Sequence, residues 1–243
     1  TDINFFAEIF SDLNKTLIKG KSREGSIVSS IEPTVEGFLE KELQKITDKW
    51  SPQITGGIII NPMNGEIYAL AANPTFDPNS FNREKGTAVF TNPLVESVYE
   101  MGSIIKPLTM AAGIDAGVVS ATTTYNDQGF LLLNNSRISN YDGKGRGVVD
   151  MQEVLNQSLN TGAAFVESKM GREKFSEYML NYGIGEETGI DLPNEAVGIV
   201  DNLKSPRDIE HATAAYGQGI AMTPISTVRA LSSLSNGGIL INP

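Results

Sequence analysis

Apolar residues recur at three- and four-residue steps early in the chain: Val35, Phe38, Leu39, Leu43, Ile46 and Trp50. That spacing predicts a helix over 33–50, with Pro33 suited to the first helical position. The period then shortens. Thr55 to Ile60 is an Ile-rich run, Asn61 to Gly65 carries turn residues, and Glu66 to Ala71 reads as a second strand. A hairpin is predicted. Two Pro and three Asn between Asn73 and Asn82 predict a loop.

From Ser103 the pattern turns helical. One helix is expected from Ser103 to Ala116, ended by Gly117. Thr122 to Arg146, rich in Gly and Asn, reads as irregular. Asp150-Met-Gln-Glu153 has the form of a capping box. Arg172 to Tyr182 is a helix that Gly183 ends, Glu186 to Gly198 is loop, and Pro206 to Tyr216 is helical. Thr223-Pro224 opens a last helix, with Ile225, Val228, Leu231 and Leu234 on one face, and Gly238 to Asn242 begins a strand. No fixed-period repeat occurs. The order predicts an α+β fold: an antiparallel sheet, incomplete at the C-terminus, interrupted by a helical insert over about 100–236. Residues 1–25, with a basic patch from Lys15 to Arg23, read as a linker or the tail of a preceding domain, and 26–243 as the domain proper.

Composition narrows the chemistry. The 243 residues carry 19 Lys+Arg against 29 Asp+Glu, a formal charge of −10, which argues against nucleic-acid binding. There is no Cys and one His, so Cys/His metal sites and Cys–His catalysis are excluded. Apolar runs such as Phe130 to Leu133 are too short to cross a bilayer, and Thr1 to Phe10 has no basic n-region. Any membrane anchor is expected outside these residues.

The sharpest chemical candidate is Ser103-Ile-Ile-Lys106. At a helix start the two side chains lie one turn apart on one face. A hydroxyl needs a base within hydrogen-bond reach, and a neutral amine can serve. The free N–H groups of a helix start can hold an oxyanion. The motif is cheap by itself: 20 Ser and 12 Lys in this length give about one such pair by chance. Ser158-Leu-Asn160 is the second candidate, as a proton relay and an amide holder, though capping accounts for Ser158 equally well. Ser80-Phe-Asn82 matches the same pattern from within a loop. His211 reads as structural, and Gly217-Gln-Gly219 lacks the preceding strand a phosphate loop needs.

Longer words lift these odds. Ala72 to Phe81 (ANPTFDPNSF), Tyr99 to Pro107 (YEMGSIIKP), Thr188 to Glu195 (TGIDLPNE), Ala215 to Pro224 (AYGQGIAMTP) and Ser235-Asn-Gly-Gly238 occur in one order. Together they resemble the transpeptidase domain of class B, monofunctional penicillin-binding proteins, over about residues 26–243. The resemblance implies the penicillin-binding protein/serine β-lactamase-like fold, and no metal or organic cofactor. It implies that Ser103 is the nucleophile that attacks a D-Ala-D-Ala stem peptide and Lys106 its general base. Ser158 would shuttle a proton to the leaving amine. Asn160 would bind a substrate amide and contact the Lys. Peptidoglycan stem peptides and β-lactams are the implied partners, with cell-wall or division proteins. The implied location is the extracytoplasmic face of the bacterial cell membrane.

Three departures qualify the resemblance. Met101 stands where the family has Pro, so a looser turn is expected before Ser103. Leu159 stands where the family often has Ser. No Lys-Thr-Gly or Lys-Ser-Gly occurs in the 243 residues, and the family carries that motif on a strand that would follow Pro243. Without its second cation and oxyanion donor, weak or absent acylation is expected. Two other readings stay open: a serine β-lactamase, with Glu195 as the deacylating base, and a non-catalytic β-lactam sensor or division scaffold.

Overall fold

The hairpin sets the frame. β1 (Thr55–Ile60) pairs antiparallel with β2 (Ile67–Asn73), Thr55 opposite Asn73, with a bulge between Ile59 and Ile60. Asn61 tightens the connection: its side-chain oxygen accepts from the Met63 N–H at 3.0 Å and its carbonyl from the Gly65 N–H at 2.9 Å. The computed structural model describes residues 28–243, so the reading of 1–25 as a linker lies outside them. Contacts divide the chain after Ser30, and the unit discussed below is 31–243.

Helix α1 (Pro33–Trp50) packs mainly on β2. Glu32 caps it, accepting from the Val35 N–H at 2.9 Å, and Glu36 fastens it to the strand by accepting from the Leu70 N–H at 2.8 Å. The bounds match the sequence pattern, but the apolar stripe divides. Leu43 is buried and Leu39 half-buried, whereas Phe38, Ile46 and Trp50 are exposed. A two-stranded sheet is too narrow to cover so wide a face.

Helix α2 (Lys106–Asp115) is the axis of the second half. Leu108 and Ala112 enter one apolar cluster with Ala163, Phe175 and Met179, while Met110 enters another with Met151, Val154 and Leu159. It packs against α3 (Met151–Asn156), α4 (Asn160–Met170) and α5 (Arg172–Asn181), while α6 (Asp208–Ala214) lies on α4 and α5, and α7 (Pro224–Ser232) lies on β1. Gly113 sets how closely α2 meets α4, because a Cβ there would stand 2.4 Å from a Val166 methyl.

Several expectations need correction. The insert is not wholly helical. Residues expected to be irregular form β3 (Thr124–Asp127), β4 (Phe130–Leu133) and β5 (Ser136–Ser139), followed by β6 (Gly147–Asp150). β3 pairs with β6 and β4 with β5, each antiparallel, as separate two-stranded ribbons. Asn134 and Asn135, with φ of 46° and 64°, make the two-residue turn between β4 and β5. The buried Asp127 carboxylate ties ribbons to helix: it accepts from the Gly129 and Arg146 N–H groups, from Asn140 Nδ2 and from Thr161 Oγ1 of α4. The Asn73–Asn82 loop contains a 3-10 turn, Pro78–Arg83, capped by Asp77. α6 begins at Asp208, two residues later than expected. α7 tightens into a 3-10 turn at Ser233–Ser235, which turns Leu234 outward. Gly238 to Asn242 forms no strand, since no ladder partner lies beside it among the described residues. Arg229 Nε holds the Ile241 carbonyl at 2.7 Å instead. No helix among the described residues is long and apolar enough to cross a membrane.

Glu167 on α4 is only 4% exposed, and no donor reaches its carboxyl among the described residues. Burial, with Asp208 close by, pushes that carboxyl up to about 7, against a smaller opposing pull from Arg172. Between the ordinary carboxyl range and about 7 the unfolded chain is ionised and the folded one is not. Folding therefore loses stability as pH rises through that window. Glu167→Gln should be near-neutral at pH 5 and stabilising by about 2 kcal/mol at pH 8, a figure below the full linkage value to allow for solvent screening. Urea midpoints of the two proteins at both pH values check this.

Candidate active site

The site begins with a proline. Pro107 has no N–H, so the Ser103 carbonyl cannot be paired at α-helical spacing. The Lys106 N–H takes it instead, and Gly102–Ile105 winds as a 3-10 turn ahead of α2. Ser103 therefore precedes the helix rather than opening it, correcting the single helix expected from Ser103. The change sharpens the geometry, because residues three apart eclipse in a 3-10 turn. Lys106 Nζ lies 3.0 Å from Ser103 Oγ.

The other wall comes from the junction of α3 and α4. Ser158 has φ of 53°, a left-handed conformation costly for a residue with a side chain. In that conformation both its oxygens face Lys106: Nζ donates to the Ser158 carbonyl at 2.6 Å and contacts Ser158 Oγ at 2.9 Å. Ser158 is not a helix cap, since Leu159 holds that position without a side-chain bond, so the capping alternative falls away. Leu159 points into the core, fully buried. Asn160, the first residue of α4, donates its amide to the Ser139 carbonyl at 2.9 Å. No hydrogen bond joins it to Lys106 among the described residues, which departs from the contact the resemblance implied. The three Lys106 donors are already taken by Ser103 and Ser158.

Burial sets the electrostatics. Lys106 is 2% exposed and no carboxylate pairs with it among the described residues. Desolvation lowers its ammonium from 10.5 to about 8. At pH 7 the neutral amine then costs about 1.4 kcal/mol, against 4–5 for an ordinary lysine. Ser103, by contrast, is exposed, and its N–H has no acceptor among the described residues. The arrangement is a reachable hydroxyl, a buried amine able to take its proton, a second hydroxyl on the same amine, and an open N–H beside the first hydroxyl. It can perform acyl transfer through a serine ester.

A brace behind the serine escaped the sequence reading. Gly102 (φ 60°) donates its N–H to the Gly217 carbonyl at 3.2 Å, and a Cβ on Gly217 (φ 81°) would fall 2.2 Å from the Gly102 oxygen. Glu100 accepts from the Gly219 N–H at 2.7 Å, and Tyr99 and Met222 exchange backbone hydrogen bonds. The Gly-Gln-Gly stretch is thus a backbone support for the turn, not a phosphate loop. The looser turn expected from Met101 is held from this side. The available signal was the pair of glycines at 217 and 219, which permits backbone to meet backbone.

The remaining candidates lie elsewhere. His211 is buried and structural, its ring nitrogens 2.8 Å from the Ser205 carbonyl and 3.3 Å from Ser176 Oγ. Glu195 spends both carboxylate oxygens on its own turn, accepting from the Thr188 N–H and hydroxyl and from the Gly189 N–H. That leaves it poorly placed as a deacylating base. Ser80 sits in the 3-10 turn of Pro78–Arg83, with no bond to Lys106. No cluster of metal-ligating side chains occurs among the described residues.

Known proteins carry the same arrangement of chain. The penicillin binding protein transpeptidase domain, as a family, matches residues 55–243. Stage V sporulation protein D of Bacillus subtilis is 33% identical over 215 residues, covering 88% of this chain and 33% of that protein. The probable peptidoglycan D,D-transpeptidase FtsI of Caulobacter vibrioides is 30% identical over 212 residues, 86% of this chain and 35% of that one. Among solved structures, penicillin binding protein 2X from Streptococcus thermophilus superposes with a TM-score of 0.79 at 27% identity, over 89% of this chain and 32% of that one. The chain spans about a third of the length of the curated relatives it matches.

Gly217→Ala should test the brace. A methyl at that position must displace Gly102 and with it Ser103. Acylation of Ser103 by a fluorescent penicillin should slow at least about tenfold, with stability reduced by about 1–3 kcal/mol. Labelling rates and urea midpoints measured together check both parts.

Proposed function

We propose, from the premise that this chain belongs to the penicillin-binding protein transpeptidase domain family, that it is the acylating portion of a peptidoglycan D,D-transpeptidase. The observation that carries the reading is the position of Lys106 Nζ, 3.0 Å from Ser103 Oγ and 2.9 Å from Ser158 Oγ. In its neutral form the Lys106 amine takes the Ser103 proton as Oγ attacks the carbonyl of a D-Ala-D-Ala stem peptide. The oxyanion forms beside the Ser103 N–H. The proton passes by way of Ser158 to the departing D-alanine amine, the peptide bond breaks, and a serine ester remains. An amine of a neighbouring stem then attacks the ester, Ser103 regains its proton, and a cross-link is made. Asn160 holds the substrate amide, which requires its side chain to leave the Ser139 carbonyl. β-Lactams acylate the same serine. The work takes place on the extracytoplasmic face of the cell membrane, in concert with cell-wall or division proteins.

A fluorescent penicillin tests this reading on the 243-residue chain. Label should appear on Ser103 and vanish in Ser103→Ala. Lys106→Ala should slow it by about 10²–10⁴, the usual worth of a general base. The rate should climb about tenfold per pH unit below about 8 and level off above it, because the active form is the neutral amine. Since no Lys-Thr-Gly or Lys-Ser-Gly occurs in these residues, labelling should run about 10²–10³ slower than in a domain with that motif. Labelling that persists in Ser103→Ala, or a rate indifferent to Lys106, would overturn the assignment.

A further inference from the structure

A second cavity lies on the helical half, and it contains none of Ser103, Lys106, Ser158 or Asn160. Its volume is about 590 Å³, within the range that accepts small organic molecules. The walls are apolar: Leu131 and Leu133 of β4, Tyr125 of β3, and Ala164 and Phe165 of α4. Tyr125 and Phe165 stack at 5.3 Å between ring centroids, which makes that wall flat and rigid.

The polar content is unbalanced. Glu167, Glu173 and Asp208 line the cavity against one base, Arg172. That guanidinium is engaged with the Pro206 carbonyl and with Asp208 at 3.5 Å. Lys169 lies over the Phe165 ring, 5.2 Å from its centroid. Neither cation is within ion-pair distance of Glu167, which is 4% exposed and without a donor among the described residues. Its neighbours in the chain show the contrast: Thr161, two turns earlier on α4, is fully bonded to Asp127 and Asn140. Its carboxyl oxygens are not sealed from solvent but face the open cavity, and no protein cation fills the space beside them.

We propose that this cavity is a binding site for a primary ammonium ion carried on an apolar stem, with the ammonium on Glu167 and the stem against Leu131, Leu133 and Phe165. The ammonium supplies the donors that Glu167 lacks, and the stem replaces water on the apolar wall. Such a group occurs in free alkylamines and in lysine-type side chains of peptides. The site stands apart from the acyl-transfer reading, since it shares no residue with it.

The test uses the full 243-residue chain with n-pentylammonium as probe at pH 8, read by the Ala164 methyl signal in NMR. Saturable shifts are expected in the wild type, with binding at least about tenfold weaker in Glu167→Gln. n-Pentanol, which has the stem without the charge, should bind at least about tenfold more weakly to the unaltered protein, an arm that needs no variant. Nα-acetyl-lysine amide distinguishes the sources: binding at the same methyl points to a peptide side chain, and its failure beside bound pentylammonium points to a free amine. An Ala164 signal that does not saturate with pentylammonium, or equal affinities for amine and alcohol, overturns the proposal.

Discussion

The site depends on one constraint: an amine with three hydrogen-bonding directions is placed where water is excluded. Lys106 is fully buried, so each direction has to end on a protein atom or leave an unpaired donor, at about 1–3 kcal/mol each. All three end on two residues, Ser103 and Ser158. Because none of those acceptors is an anion, burial lowers the ammonium toward about 8 rather than stabilising it. The amine also begins α2, where the helix dipole disfavours a cation. An ion pair in the same place would have kept the amine protonated.

That constraint reaches outward through the backbone. In its left-handed conformation Ser158 offers two oxygens to one nitrogen, and its neighbours are fixed on both sides. Leu159 is locked in the core on one side, and Asn160 is tied to the Ser139 carbonyl on the other. Ser139 ends β5, so the β4–β5 ribbon is part of the support. On the opposite wall, Gly217 and Glu100 hold the turn that carries Ser103. Ser103 is thus positioned by segments more than a hundred residues apart in sequence.

What could be seen in the sequence follows from how local each cause is. α1 came from periodicity, the Asp150 cap from its spacing, and Gly117 and Gly183 from their place at helix ends; each depends on a few adjacent residues. Only half of the Asp150 box forms, because the Glu153 side chain turns to Asn156 and Gln157. The β4–β5 hairpin carries a local signal, Asn-Asn between two apolar-containing runs, which the many polar residues nearby outweigh. The strand expected at Gly238–Asn242 failed for the opposite reason, since a strand is defined by its partner and not by its own residues. Ser103, Lys106 and Ser158 could be named from motif order, but the Gly102–Gly217 brace and the turn of Asn160 away from Lys106 are tertiary facts with no local signal.

Two buried ionisable groups, Lys106 on α2 and Glu167 on α4, have surroundings of different kinds. Lys106 has every direction filled by neutral oxygens, so its environment is complete and its perturbed ionisation is explained by the arrangement around it. Glu167 has a comparable burial and no filled direction. Burial of an unpaired carboxyl opposes its ionisation, and only the cavity side is left for a counter-charge. Around Lys106 the protein supplies every partner; beside Glu167 the shape and charge of the cavity point to a cation.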